Sequence, residues 1–235
     1  MRENALIKSL HTDYARSLTK NFFKAVEDYR LIKSGDRVFV SVFGDSPSLL
    51  LAALLRDYKR HGGVSFEVSY RAENACAGEF LNSLGISAEC LENAAAGESA
   101  FDSAARLGCN KIALESHFDD VIEDTLCGMI YGGEARIMLP RERAKKGGIE
   151  LIRPLYLVRE RDITAWQSAN RLACEERRSD DPARKLVKEL IARLSEGNPQ
   201  VPQNIFRSVH NVRLDHIISY NDGICEHTFL ENYER

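Results

Sequence analysis

Apolar residues recur along this chain in short runs that alternate with helical patterns. Val38–Val42 is an apolar, β-branched run between turn residues, which is typical of a parallel strand buried on both faces. The next segment, Pro47–Leu55, carries apolar residues at helical spacing, with Ser46 as the predicted cap and Pro47 at the first helical position. The free N–H groups of such a helix make the turn a candidate anion site. An ordinary βα connection explains the spacing equally well.

The same alternation continues through the middle of the chain. Further strands are predicted at residues 66–70, 87–91 and 111–114, and helices at 72–84, at 99–107 and from His117–Asp120 to about Tyr131. Residues 3–30 predict a leading helix or helix pair, and residues 182–194 predict an amphipathic helix. The pattern therefore predicts an α/β fold with a doubly wound parallel sheet, an N-terminal helix and a short C-terminal helical extension.

Length and composition favour one core. With 235 residues, 44% of them hydrophobic, we divide the chain into a helical segment (1–30), an α/β domain (31–215) and a C-terminal tail (216–235). The N-terminus shows no apolar signal-peptide region and no run reaches membrane-spanning length, so we expect no membrane contact and a cytoplasmic location. The six cysteines form no C-x-x-C pair, which argues against a zinc ribbon or a secreted disulfide framework.

A second candidate site follows the predicted strand at 111–114. His117, Asp119 and Asp120 come at the turn into the next helix, which places them at a carboxyl edge beside the first turn if the sheet is doubly wound. Asp119 and Asp120 could there hold Mg²⁺ through waters and the phosphates of a substrate. The more ordinary explanation is a surface histidine and two acids that complement the helix dipole.

Basic residues are frequent after residue 134. The net charge of −3 gives no global basic signature, so a nucleic-acid contact needs a local patch. The residues that we predict to contact RNA are Arg141, Arg143, Lys145, Lys146, Arg153 and Arg159. A solvated, salt-paired surface is an equally weighted alternative.

The first turn carries a recognisable motif. Ser41-Val-Phe-Gly-Asp-Ser46 resembles the Ser-Gly-Gly-x-Asp-Ser loop of the PP-loop ATP pyrophosphatases, which cleave ATP between its α and β phosphates. The resemblance implies that Ser41, Gly44, Asp45 and Ser46 bind ATP.

Three positions depart from that motif. Val42 and Phe43 stand where the family has two glycines, and Gly44 stands where many members carry lysine. Glycine permits positive φ and close approach of a phosphate, so we expect Val42 and Phe43 to crowd the phosphates. The missing lysine also removes a charge that would offset developing phosphate charge. ATP and Mg²⁺ binding is therefore expected to be weak or lost.

The resemblance extends to a particular branch of the family. Segments 108–114, 117–120 and 129–133 are similar to those of the tRNA 2-thiocytidine synthetases, and Arg153-Pro-Leu and Arg159–Ile163 continue the match within roughly residues 30–215. The resemblance implies an adenine nucleotide alpha-hydrolase-like fold, a tRNA substrate and catalytic roles for Asp45, His117, Asp119 and Asp120. In that family ATP adenylates the C2 carbonyl of an anticodon-loop cytidine, and sulfur carried by an iron–sulfur cluster displaces AMP.

The cysteines that hold the family's cluster are mostly absent. An ungapped count places the family's first pair on Glu89 and Glu92 and the later pair of positions on Cys174 and Arg177, with Cys90 one position off. A single matched thiol, Cys174, is a poor ligand set for a 4Fe–4S cluster, so we predict that the cluster is absent.

Three functions stay open from the sequence. The chain is a divergent member that still uses ATP to modify an RNA, a catalytically inactive relative that binds RNA or protein, or a PP-loop enzyme that activates a small molecule. A homodimer is one candidate for the oligomeric state.

Overall fold

The strand β1 (Arg37–Val42) lies in the middle of the fold and is buried on both faces. The computed structural model describes residues 2–90, 98–144, 148–173, 181–221 and 223–233. Val38, Val40 and Val42 pack into the largest core cluster, whereas Phe39 packs on the opposite face. This alternation follows from the two-residue period of a strand and puts a hydrophobic layer on each side of the sheet.

Within the described ranges, six strands form the main sheet. The others are β2 (Glu67–Ala72), β3 (Glu89–Cys90), β4 (Lys111–Ala113), β5 (Arg141–Arg143) and β6 (Glu150–Ile152), in the order β3-β2-β1-β4-β6-β5. All neighbours are parallel except β5 and β6. The chain leaves β1 toward β2 on one side and returns to β4 on the other, which makes a topological switch point between β1 and β4. The predicted doubly wound α/β fold is confirmed.

Helices surround this sheet. They are α1 (Arg2–His11), α2 (Lys20–Asp28), α3 (Ser46–His61), α4 (Ala75–Ser83), α5 (Ala100–Arg106), α6 (Phe118–Cys127), α7 (Glu160–Ala169), α8 (Pro182–Gly197), α9 (Val201–Ser208) and α10 (Leu230–Tyr233). Shorter turns are π-helical at Ala15–Thr19 and Gly128–Gly132 and 3₁₀-helical at Leu214–His216, and β7 (Ser219–Asn221) pairs with β8 (Glu226–Thr228) in a hairpin. In the described part of the chain, every helix is too short or too polar to cross a bilayer.

The helix α3 is enclosed on all sides. Every residue from Ser48 to Tyr58 is buried, including the charged Arg56 and Asp57. The sheet covers one side of the helix, α7 with its Trp166 packs on another, and Phe22 and Phe23 of α2 pack against Tyr58 near its end. Burial all round is typical of a core helix rather than an amphipathic surface helix.

Several elements differ from the sequence prediction. Of the weak strand predicted at 87–91, the described residues 87–90 form a strand only at Glu89–Cys90. The helix expected to run to Tyr131 changes to a π-helical turn at Gly128. The three-residue strands β5 and β6 were not predicted, because three residues are too few to show an alternating pattern. The sheet edge beyond β4 is therefore set by tertiary pairing.

Candidate functional site

Two turns meet at the carboxyl edge of the sheet. β1 leads through residues 43–45 into α3, and β4 leads through residues 114–117 into α6. Because β1 and β4 are parallel neighbours, both turns leave the same edge at the switch point. In open α/β folds this crevice is where nucleotides bind. The topology thus brings the two candidate sites from the sequence to one edge.

Asp45 begins the helix α3. Its side chain accepts a hydrogen bond from the backbone N–H of Ser48 at 3.1 Å, so Asp45, and not the predicted Ser46, is the cap. Ser46 is the first helical residue, and its hydroxyl donates to Gln167 Oε1 at 2.6 Å. The prediction was one residue late because Asp and Ser have similar preferences for this position.

The loop before the cap is held by its neighbours. The Phe43 N–H donates to Ser48 Oγ at 3.1 Å, and the Asn74 amide donates to the Phe43 carbonyl at 2.6 Å. Gly44 has φ +82°, and a Cβ there would lie 3.0 Å from Asn74 Oδ1. A lysine at this position would be strained in the present backbone conformation. The structure therefore explains why glycine stands at this position.

Val42 and Ser41 end β1 with their side chains on opposite faces. Val42 is fully buried in the main core, so the prediction that it crowds the phosphates is wrong and only the half-buried Phe43 remains for that role. Ser41 accepts a hydrogen bond from Arg71 at 3.4 Å, and Arg71 pairs with Glu73 at 2.6 Å. Arg71 was not predicted from the sequence, although a charged residue directly after the buried Tyr70 was a usable signal.

His117 and Asp120 cap α6 reciprocally. The Asp120 N–H donates to His117 Nδ1 at 3.3 Å, and the His117 N–H donates to Asp120 Oδ2 at 2.9 Å. This pairing assigns the ring proton to Nε2. His117 is only 6% exposed, so it is not the surface histidine of the ordinary alternative.

Both proposed magnesium ligands are paired with arginines. Arg159 donates to Asp119 at 3.0–3.2 Å and stacks over the Phe118 ring at 4.9 Å. Asp119 also accepts from the Glu160 N–H at 2.7 Å. Arg184 donates to Asp120 at 2.5 Å. A cation at Asp119 or Asp120 would compete with these guanidinium groups.

Arg184 also neutralises a buried acid. Its Nε donates to Glu123 at 3.0 Å, one turn further along α6. Burial raises the pKa of Glu123 above its ordinary value, and Arg184 opposes that rise. Neither Glu123 nor this role of Arg184 was predicted from the sequence.

The predicted RNA contacts fall into separate places. Arg153 is 7% exposed and donates to the Leu139 carbonyl and to Glu142, both at 2.6 Å, so it is not available to RNA and its prediction is wrong. Arg159 is held by Asp119. Arg143 is exposed and Arg141 is partly exposed on the edge strand β5. Lys145 and Lys146 lie outside the described residues.

Of the positions where the family has its cluster cysteines, Glu89 lies within the described residues. Glu89 ends the sheet in β3, and its carboxylate pairs with Arg106 at 2.8 Å. Glu92, Cys174 and Arg177 lie outside the described residues, as does the side chain of Cys90. A carboxylate engaged by arginine does not fit the thiolate chemistry of a 4Fe–4S cluster.

Comparisons with known proteins agree with this fold and motif. No family model matches the chain. The chain is 29% identical to the tRNA-cytidine(32) 2-sulfurtransferase of Geobacter metallireducens, over 90% of this chain and 96% of that protein. It is 30% identical to the protein of the same name from Coxiella burnetii, over 84% of this chain and 90% of that protein. The Geotalea uraniireducens protein of that name is also 30% identical, with 84% and 93% covered.

A solved structure shares the fold. The U34-tRNA thiolase NcsA from Methanococcus maripaludis, solved with its 4Fe–4S cluster, superposes with a TM-score of 0.62 at 17% identity, over 86% of this chain and 80% of that chain. The sheet order and the motif at the switch point define a PP-loop nucleotide-binding fold. Within that class, the chain belongs to the tRNA-cytidine(32) 2-sulfurtransferase family.

The Arg184 interactions predict a pH-dependent effect on stability. Arg184→Met removes the arginine that pairs with the buried Glu123 carboxylate. We expect this to lower the free energy of unfolding by about 2–4 kcal/mol at pH 7. Because burial raises the pKa of Glu123, the folded state binds a proton at higher pH than the unfolded chain, so the loss should shrink near pH 4.5. Urea unfolding at both pH values measures it.

A matched control is available on the same helix. Arg193→Met removes an exposed arginine of α8 and should change the stability by less than about 0.5 kcal/mol. Adding Glu123→Gln to Arg184→Met should recover part of the loss. A loss of equal size at both pH values would show that Glu123 does not carry the effect.

Proposed function

We propose that this chain is a divergent member of its family that binds an adenine nucleotide at the β1–α3 turn and acts on tRNA without an iron–sulfur cluster. The observation that carries the proposal is the internal anchoring of the PP-loop by Asn74, Ser48 and Gln167, at the edge where the fold offers a nucleotide crevice. The position of the loop at this sheet edge supports nucleotide binding. Its hydrogen bonds to other parts of the chain support a lowered affinity for the nucleotide.

Four residues of the loop would contact the nucleotide. Gly44 allows the backbone to turn toward a phosphate, and the N-terminus of α3 offers its positive dipole end behind Asp45. The hydroxyls of Ser41 and Ser46 would have to exchange their present partners, Arg71 and Gln167, for phosphate oxygens. Each exchange costs a hydrogen bond already made, which lowers the net gain on binding.

The adenylation step needs positive charge near the transferred group. The cytidine carbonyl oxygen forms a bond to the α-phosphorus while the bond from that phosphorus to the bridging oxygen breaks and pyrophosphate leaves. Without the family lysine, Arg71 is the guanidinium that the described residues bring nearest to Ser41, and Glu73 offsets part of its charge. Mg²⁺ would approach through the phosphates, with Asp119 and Asp120 as ligands only after Arg159 or Arg184 moves away. These features support slow adenylation.

The loop predicts a specific change in ATP affinity. Phe43→Gly removes the side chain that crowds the phosphates while leaving the core intact, and we expect ATP to bind about tenfold more tightly, close to 1.4 kcal/mol. Calorimetric titration with ATP and Mg²⁺ measures the change. Phe229→Gly, at a partly exposed phenylalanine before α10, should leave the affinity unchanged. If the wild type already binds at about −7 to −8 kcal/mol, in the low micromolar range, crowding is not the limiting factor.

Transfer RNA binding is expected to depend on the edge strand β5. The charge reversals Arg141→Glu and Arg143→Glu together should lower the affinity for tRNA about tenfold or more and reduce the slope of log affinity against log salt by about 1–2. Fluorescence anisotropy over a range of salt concentrations measures both. Arg60→Glu, at an exposed arginine in the last turn of α3, is the control. Equal losses in both variants would point to net charge rather than to this patch.

The proposed absence of a cluster is tested by reconstitution. After anaerobic reconstitution with iron and sulfide, we expect less than stoichiometric iron and no change on Cys174→Ser, because a single matched thiol cannot complete the ligand set. Cys127→Ser, at the end of α6, is the control. Stoichiometric iron and sulfide that are lost on Cys174→Ser, but not on Cys127→Ser, would restore the cluster-dependent thiolation of the family.

One observation favours a second function. The pairing of both Asp119 and Asp120 with arginines suits a relative that has given up catalysis and keeps the scaffold for binding RNA. The two functions differ in one measurement. Release of pyrophosphate from ATP that depends on added tRNA supports the enzyme, whereas tRNA binding without such release supports the binding protein.

A further inference from the structure

The ends of two helices meet on the side of the molecule away from the nucleotide edge. His11 is the last residue of α1 and His61 the last residue of α3, with Asp57 one turn earlier on α3. His11 Nε2 lies 2.9 Å and His61 Nδ1 lies 3.1 Å from Asp57 Oδ1. The two imidazole rings stand edge to face with their centroids 5.8 Å apart. Two imidazoles thus converge on one carboxylate.

We propose that His11, Asp57 and His61 form a binding site for a divalent transition metal ion, zinc in the first place. In the described part of the chain, one ligand atom from each residue lies within 4.8 Å of the others. Imidazole nitrogen and carboxylate oxygen are ligands that zinc accepts, and three protein ligands with a water in the fourth position make a common zinc site. This inference does not rest on the proposed function.

The spacing of the donor atoms suits a tetrahedral ion. With metal–ligand bonds of about 2.0–2.1 Å, neighbouring ligand atoms in a tetrahedron lie about 3.3–3.4 Å apart. The two nitrogens lie 2.9 and 3.1 Å from Asp57 Oδ1 and within 4.8 Å of each other, so coordination needs a movement of each ring. Both rings can make it, because the His11 and His61 side chains are 43% and 59% exposed. Water can reach the fourth position from the same open side.

The carboxylate itself points to a missing partner. The Asp57 side chain is 1% exposed, yet among the described residues no group donates a hydrogen bond to its Oδ2 atom. A buried carboxylate oxygen without a partner is costly. A cation coordinated by the same carboxylate would compensate its charge directly. A bound zinc ion would convert this buried charge into a stabilising ligand.

The surrounding charges are mixed. The carbonyl ends of α1 and α3 both point toward the cluster, and their negative dipole ends favour a cation there. Arg56, Lys59 and Arg60 lie on the same end of α3 and oppose it. Lys59 is paired with Glu67 at 2.6 Å, which offsets part of this repulsion, and Arg60 is exposed and screened by salt. We therefore expect coordination by the three side chains to outweigh the repulsion from these basic residues.

Part of the site was visible in the sequence. Asp57 and His61 are four residues apart, which places them on one face of a helix. The third ligand, His11, comes from 46 residues earlier and reaches the site only through the packing of α1 against the core. A metal there would join the N-terminal helix to the central helix α3.

Zinc binding to the full chain tests the proposal. After removal of metals with a chelator, calorimetric titration and metal analysis after dialysis should show about one zinc per chain. His11→Gln together with His61→Gln should weaken binding at least about tenfold, because two ligands are lost. Both residues are half-exposed, so this variant should fold. Zinc at a hundredfold excess over its Kd should raise the unfolding midpoint of the wild type by about 5 °C or more, and of the double variant by much less.

A control variant shows whether zinc binds at this site or at another histidine of the chain. His216→Gln replaces an exposed histidine that also lies beside an acid, Asp215, at 3.5 Å, and should bind zinc as the wild type does. Cobalt substitution should give the visible absorption of a tetrahedral site without a thiolate charge-transfer band. Failure of the wild type to bind zinc, undiminished binding in the double variant, or a thiolate band that shows cysteine ligands would each overturn the proposal.

Discussion

The burial of β1 from Val38 to Val42 and of α3 from Ser48 to Tyr58 is the constraint on which the rest of the structure depends. β1 presents valines to one layer and Phe39 to the other, and α3 is enclosed from Ser48 to Tyr58. Because interiors are close-packed, neither element can shift without disturbing both layers. The turn between them therefore sits on the most rigid part of the molecule, which is where a binding site gains most from fixed geometry.

Sequence reasoning could find these elements because their patterns are long and local. β1, α3, β4 and α6 were predicted close to their observed positions, and the edge position of His117, Asp119 and Asp120 followed from them. The direction of Val42 was also readable, since it is two residues from Val40 and must share its face. The Mg²⁺ and nucleotide roles of these residues remain predictions.

The partners of the site residues could not be read from the chain. Asp119 meets Arg159 across 40 residues, and Ser46 meets Gln167 across 121. Such pairs follow from tertiary packing and leave no local pattern. Arginines that look like a surface cluster in the sequence are in part structural, as Arg153 shows by pairing inside the fold with Glu142. Clustered basic residues therefore overstate the charge that a polyanion would meet.

The anchored PP-loop has a consequence for how its sequence can change. Phe43 is tied to Asn74, Gly44 is confined by the same asparagine, and Ser46 is tied to Gln167. Substitutions at positions that share a partner are not additive, so the effect of each depends on what occupies the others. A lysine introduced alone at Gly44 would meet Asn74 and a left-handed backbone before it met any phosphate. A return to lysine at Gly44 therefore needs a compensating replacement at Asn74.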